Sequence, residues 1–255
     1  MAGFVLAYLI LIALLVFANA SFVSWNDLVR SITSPAIQNS LYLTFLTCTV
    51  SATLSVLFAV PIAYTLSRFQ FRGRTLLDTL FDIPIILPPL VIGLSLLILF
   101  NAFPTSNHSL ESWLNARGIQ VTFHIPAIIL AQFTVAAAFA IRSMKNTFDQ
   151  ISPRTEMVAL TLGCSRAQAF WKVTLPQAGR GVLSAGLLAW ARALGEFGPI
   201  LIFAGATRGR TEVLSTSVFL EVNIGNLSGA AAVSLILITL AVTTILIIRL
   251  AGDRK

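Results

Sequence analysis

Two ionisable side chains stand inside an otherwise apolar run, Arg192 and Glu196, in the string Trp190-Ala191-Arg192-Ala193-Leu194-Gly195-Glu196-Phe197-Gly198. On a helix, four-residue spacing puts both on one face, and ionisable groups at membrane depth face a bundle interior or an aqueous cavity. Their role stays open between three readings. They neutralise each other as a latch between helices, they line a route and form part of a gate, or they simply lie near the interface. Taken singly, the carboxylate would repel an anion and the guanidinium would attract one. The pair makes no nucleophile-and-base set, and no His-Glu-x-x-His occurs, so no catalytic residue is expected. His108 and His124 have no spaced partners and are assigned no metal. No G-x-x-x-x-G-K-[ST] phosphate loop is present, so the chain cannot hydrolyse ATP by that route.

The second constellation is a polar segment from Arg142 to Arg180, within which Glu156 to Pro176 reads EMVALTLGCSRAQAFWKVTLP. Ser152-Pro153 starts a helix in which Ser caps and Pro takes the first turn, where its missing N–H is harmless. That helix is expected to end at Gly163, a residue suited to the left-handed closing turn. Ser165-x-x-Gln168 is a capping box for a second helix, expected to run to about Val173 and stop before Leu175-Pro176. Met157, Leu160 and Thr161 form a stripe on the first helix, and Phe170, Trp171 and Val173 add bulk on the second. The result is a compact hairpin, about 152–176, with an apolar tip. From the residues alone it either rests on lipid headgroups or docks on a partner.

These groups must be positioned by membrane-spanning helices. With 56% hydrophobic and 11% charged residues and a mean hydropathy of +0.87, the chain departs far from the soluble norm of about 25% charged. A hydrocarbon core of ~30 Å needs ~20 helical residues. Six apolar runs qualify, at about 2–23, 39–66, 76–101, 124–141, 181–204 and 229–250. They are continuous rather than alternating, which implies an all-α polytopic membrane domain over 1–255 and not a barrel. Of the 17 Lys+Arg, three flank the loop after the second run, six lie in the polar segment and three close the chain. Arg30, Arg117, Arg208 and Arg210 occupy the opposite loops, so the positive-inside rule puts hairpin and C-terminus in the cytoplasm. The net charge of +7 is thus a topology signal, and no basic run with interleaved aromatics suggests nucleic acid. Thr207 to Thr211, with Arg208 and Arg210, forms a small outward basic patch, either a plain solvated loop or an attractor for anions or acidic surfaces. Ala18-Asn19-Ala20 imitates a signal-peptidase site, yet the run lacks a basic leader and its apolar core is long, so a retained first helix is expected. Cys48 falls in a span and Cys164 in the polar segment, and no disulfide is expected between them.

Pro84, Pro88 and Pro89 remove backbone donors from the third run and kink or break it, beside a pathway or as a packing feature. Gly195 and Gly198 suit close helix approach.

Glu156, Ala159, Gly163 and Leu175-Pro176 resemble the cytoplasmic EAA loop of ABC importer permeases, with Met157 and Val158 standing where Ala-Ala is commonest. The likeness continues over most of the chain. Pro61-Ile62-Ala63-Tyr64, then Asp82-Ile83-Pro84-Ile85-Ile86-Leu87-Pro88-Pro89 with Gly93, and Arg192 to Gly198 continuing through Phe203-Ala204-Gly205, are similar to molybdate/tungstate and sulfate permeases. The resemblance implies a coupling helix in which Glu156, Ala159, Leu160, Gly163, Leu175 and Pro176 engage a separate ATP-binding subunit dimer. It also implies a second copy of the chain around a shared conduit, an extracytoplasmic oxyanion-binding protein, and a prokaryotic inner-membrane location. Arg192, Gly195, Glu196, Gly198, Pro84 and Pro88 become the gate or translocation candidates. This chain would bind no cofactor, with ATP and Mg used by the partner, and no bond in the cargo would change. Molybdate or tungstate ranks above sulfate, with ferric iron or a polyamine as cargoes of other permeases of the class. A carrier driven by an ion gradient is the rival mechanism, though no internal repeat supports it and the hairpin would go unexplained.

Overall fold

The computed structural model describes residues 2–103 and 109–252. His108 and the closing Arg254 and Lys255 lie outside the described residues. Every regular element among the described residues is helical.

Long apolar helices α1 (Ala2–Phe22), α3 (Pro35–Arg68), α7 (Ile125–Gln150) and α14 (Leu227–Gly252) are each long and apolar enough to cross a membrane. Between α1 and α3 lies α2 (Trp25–Thr33), a short amphipathic helix opened by a capping box of Ser24 and Asp27. The run expected at 76–101 forms α4 (Arg74–Ile86) and α5 (Pro89–Asn101), bent by 109° at the break. The cause is local: Leu87, ahead of Pro88, is pushed to φ −64° and ψ 139°, and two successive prolines offer no donors to continue the helix. Pro84, by contrast, sits inside α4 and does not end it.

After α6 (Leu110–Asn115) and α7 come the hairpin helices α8 (Pro153–Thr161) and α9 (Arg166–Ala169), a π turn over Phe170–Thr174, and α10 (Leu175–Gln177). The run expected at 181–204 is also divided, into α11 (Gly179–Leu194) and α12 (Gly198–Phe203), with α13 (Leu214–Asn223) beyond. At 1.5 Å per residue α11 covers about 24 Å, and it follows α10 across the single residue Ala178. Among the described residues four helices are long and apolar enough to cross a membrane, five if the bent pair is taken as one span, so the expected count of six is not shown.

The core is built around α3, α7 and α11. Its buried face is dominated by alanine, including Ala52, Ala59, Ala63, Ala136, Ala140, Ala185, Ala189 and Ala193. Lipid is as apolar as leucine, so packing rather than water exclusion holds these helices together, and small side chains bring the backbones close. Gly181 shows the tightness: a Cβ there would fall 2.2 Å from the Thr147 side chain. Several hydroxyls along α3 return their hydrogens to carbonyls one turn back, as Thr44 does to Ser40 and Ser55 to Ser51, which satisfies those donors within the helix.

Candidate functional site

The break between α11 and α12 lies deep in the bundle. Trp190 Nε1 donates to Thr49 Oγ1 at 3.4 Å, and Gln132 Nε2 donates to the Ala193 carbonyl at 3.3 Å. Gln132 Oε1 accepts from Ser51 Oγ at 3.1 Å. Residues 190–193 are therefore level with residues 49–51, midway along α3. Here α11 ends because Gly195 caps it, Phe197 takes φ −125° and ψ −56°, and Pro199 sits in the first turn of α12.

The proline break of α4 and α5 meets this one. A Cβ on Gly198 would stand 3.0 Å from Pro89 Cβ, and one on Gly93 would stand 2.7 Å from Pro199 Cα. Only glycine permits that backbone contact. Gly195 is different, since a Cβ there would meet nothing nearer than the Ala191 carbonyl at 3.9 Å, so it closes the helix rather than admitting a neighbour.

Arg192 Nη1 and Glu196 Oε2 are 2.6 Å apart, with the Glu196 side chain 1% exposed and Arg192 29%. The expected single helical face does not hold, because Glu196 lies past Leu194 where the helix has ended. Instead the carboxylate folds back on the helix end, and its backbone carbonyl accepts from Ser215 Oγ at 2.7 Å, tying in α13. The Arg192 guanidinium also lies 5.6 Å from the centre of the Phe139 ring. Pro88, Arg192, Gly195, Glu196 and Gly198 line one cavity of about 350 Å³, with Pro89, Leu90 and Phe197 completing it. Of the sequence-derived gate candidates only Pro84 is absent from it. Pro199 and Gly93 complete the junction; in the sequence Gly93 carries a signal only through its likeness to the oxyanion permeases, and Pro199 only as the proline following Gly198.

At the far end of α3 and α7 the hairpin is closed as its residues require. Gly163 takes φ +90°, with its N–H on the Leu160 carbonyl and the Cys164 N–H on the Ala159 carbonyl, both at 3.0 Å. The Ser165–Gln168 box is formed in both directions. The second helix does not stop before Leu175-Pro176, as expected, but passes through the π turn, where the Leu175 N–H reaches back to the Phe170 carbonyl. The widened turn precedes Pro176, which would lack the donor for an ordinary α bond.

Glu156 points inward. Its Oε1 accepts from Arg68 Nε at 2.9 Å and from Thr174 Oγ1 at 2.7 Å, and its Oε2 accepts from Tyr64 Oη at 3.0 Å. Arg68 Nη2 also donates to the Ile151 carbonyl at 2.8 Å. The Tyr64 ring meets Phe170 at a tilt, centres 4.6 Å apart, and Phe148 edge-on at 5.6 Å. One carboxylate thus joins the end of α3, helix α8 and the π turn. Ala159 is buried beside it, while Met157, Val158, Leu160, Leu162 and Trp171 face outward, Leu162 with 79% exposure. Leu175 is half-buried and Pro176 exposed.

Two further braces were hidden in charges counted only for topology: Arg142 pairs with Asp82 at 2.8 Å and Lys145 with Asp78 at 2.9 Å, binding α7 to α4. Their signal was the i, i+4 spacing of the aspartates and the matching i, i+3 cations. The basic patch at Thr207–Thr211 is partly satisfied, with Arg208 on Glu221 at 2.6 Å and Arg210 Nη2 3.4 Å from His124 Nε2. No cluster of three metal-ligating side chains occurs among the described residues.

Helices that break and meet at mid-depth, joined to a polar hairpin by a buried charged strut, define a polytopic membrane transport subunit. The chain belongs to the family described as binding-protein-dependent transport system inner membrane component, whose pattern matches residues 55–254. It is 35% identical over 241 residues to the molybdenum transport system permease protein ModB of Mycobacterium tuberculosis, covering 94% of this chain and 89% of that protein. It is 32% identical over 253 residues to the sulfate transport system permease protein CysW of Synechocystis, covering 98% and 90%. With the molybdate/tungstate permease WtpB of Pyrococcus abyssi it shares 34% over 204 residues, covering 80% and 75%. In fold it is similar to a chain of a bacterial alginate ABC transporter solved with its alginate-bound periplasmic protein, with TM-score 0.75 and 17% identity over 99% of this chain and 94% of that one. The chain is a transport component of the inner membrane and not an enzyme.

Proposed function

We propose that this chain is the permease subunit of an ATP-driven importer for a tetrahedral oxyanion, molybdate or tungstate ahead of sulfate. The observation that carries the reading is likeness to permeases named for these anions along nearly the whole chain. Two copies enclose the conduit, two ATP-binding subunits using ATP and Mg grip the cytoplasmic hairpins, and an extracytoplasmic binding protein delivers the anion.

The geometry supports a lever. The exposed Met157, Val158, Leu162 and Trp171 offer an apolar tip to a groove on the ATPase, with Leu160, Gly163, Leu175 and Pro176 shaping the knob. Glu156 passes its displacement to Arg68 and Tyr64 at the end of α3. Helix α3 then carries it to the level of Thr49 and Ser51, beside the mid-depth cavity. There Glu196 latches Arg192, and Arg192 supplies a weak attraction for a passing dianion rather than a binding site, as a conduit needs. Alternating access follows when paired hairpins move together.

The test is vesicles carrying the chain with its ATPase and binding protein. ATP-dependent accumulation of radiolabelled molybdate, weakly reduced by excess sulfate, is expected. Accumulation of sulfate alone would replace the cargo, and uptake driven by an ion gradient without ATP would overturn the mechanism.

A further inference from the structure

At the end of the bundle opposite the hairpin, helix α2 lies across α3 and α14 and creates a polar pocket over an apolar groove. The pocket, about 280 Å³, is lined by Arg30, Ser31, Ser34, Arg208, Glu221 and Asn226. Glu221 is already engaged, accepting from Arg208 at 2.6 Å and from Asn226 Nδ2 at 2.6 Å. Arg30 makes no ion pair among the described residues, and the Ser31 and Ser34 hydroxyls make no hydrogen bond there. Two guanidiniums against one carboxylate leave this pocket with one positive charge and three uncommitted donor groups.

The groove, about 480 Å³, is lined by Leu28, Ile32, Leu41, Ile236 and Leu240, among others. It continues the pocket along the same helix faces. Ile37 borders the pocket and Leu41, one turn deeper on α3, borders the groove; on α14 the same step runs from Val233 to Ile236 and Leu240. Trp25, 75% exposed at the start of α2, has the amphipathic ring favoured at a membrane–water interface, which sets the pocket at headgroup level and the groove at acyl level.

We propose that this junction holds one anionic glycerophospholipid, its phosphodiester on Arg30 and the two serine hydroxyls and one acyl chain in the groove. The charge decides the occupant. A second protein helix would fill the apolar groove yet leave Arg30 unpaired, whereas a lipid satisfies both parts at once. The site goes beyond the transport reading and does not depend on it. It would clamp α2 to the outer ends of α3 and α14.

The full chain, taken from nanodiscs of equal phosphatidylglycerol and phosphatidylcholine, is examined by native mass spectrometry. One retained phosphatidylglycerol per chain is expected. Arg30→Glu should lower retention by about tenfold or more, the loss of one charge-assisted contact, while Arg30→Lys keeps most of it. Leu41→Trp, which fills the groove without touching charge, should also expel the lipid, and circular dichroism checks that each variant stays folded. Wild-type chain retaining no lipid would overturn the proposal, since the groove would then be closed by protein or a second copy. Unchanged retention in Arg30→Glu would overturn it as well. So would displacement of the lipid by millimolar inorganic phosphate, which would make the pocket a free-anion site.

Discussion

Replacing Glu156 by alanine removes the carboxylate through which α8 and the π turn are tied to the end of α3. Its carboxylate accepts three hydrogen bonds, and the side chains of Arg68 and Glu156 are only 8% and 13% exposed. Stranding a buried charge costs about 3–5 kcal/mol. The residual exposure and the Arg68 bond to the Ile151 carbonyl soften this toward the lower bound, about 3 kcal/mol, and the buried Thr174 hydroxyl adds roughly 1 kcal/mol by losing its acceptor. A weakening of about 3–4 kcal/mol lowers the docked-hairpin equilibrium by at least a hundredfold. Because the spans are held by packing elsewhere, the chain should still insert. The measurable consequence is ATP turnover that continues while uptake falls, together with faster hydrogen exchange over residues 153–174. Adding Arg68→Ala should recover part of the loss, since no cation is then left unpaired, giving a coupling energy of about 2 kcal/mol. Unchanged exchange in Glu156→Ala, or single-variant losses that simply add in the double variant, would refute the strut.

Gly163→Val forces a β-branched residue to φ +90° at a cost of about 1–3 kcal/mol, and coupled transport in vesicles should fall while the open space around the residue spares overall folding. Gly93→Ala drives a methyl to 2.7 Å from Pro199 Cα and should lower thermal stability by about 1–3 kcal/mol, whereas Gly195→Ala, with 3.9 Å of room, should leave it nearly unchanged in the same melting assay. Arg192→Ala strands the buried Glu196 carboxylate and should reduce assembled yield and uptake more than Arg192→Ala with Glu196→Ala; a clearly worse double variant would refute the latch.

The hairpin was legible because its determinants are local. Ser152-Pro153, Gly163 and the Ser165–Gln168 box each act within one turn of chain, and each took the geometry its chemistry demands. The π turn was not legible, since only the packing of Phe170 against Tyr64 and Phe148 and the pull of Thr174 on Glu156 select that register over an early stop. Helix α2 left a signal in Ser24-x-x-Asp27 but was too short to register as a span.

Hydrophobic composition and charge asymmetry require a helical membrane bundle whatever its neighbours do, because a backbone in lipid must satisfy its own hydrogen bonds. The same apolar runs cannot say where a helix is interrupted. That Leu87-Pro88 and Gly195 to Phe197 end their helices and meet at one level depended on whether neighbours could cover the broken backbone, and Gly93 against Pro199 provides that cover. Nor could four-residue spacing tell that Arg192 and Glu196 pair around a helix end, or that Glu156 turns inward while Met157 and Leu162 turn out. Those choices are made by contacts between residues distant in the chain, and only the tertiary structure brings them together.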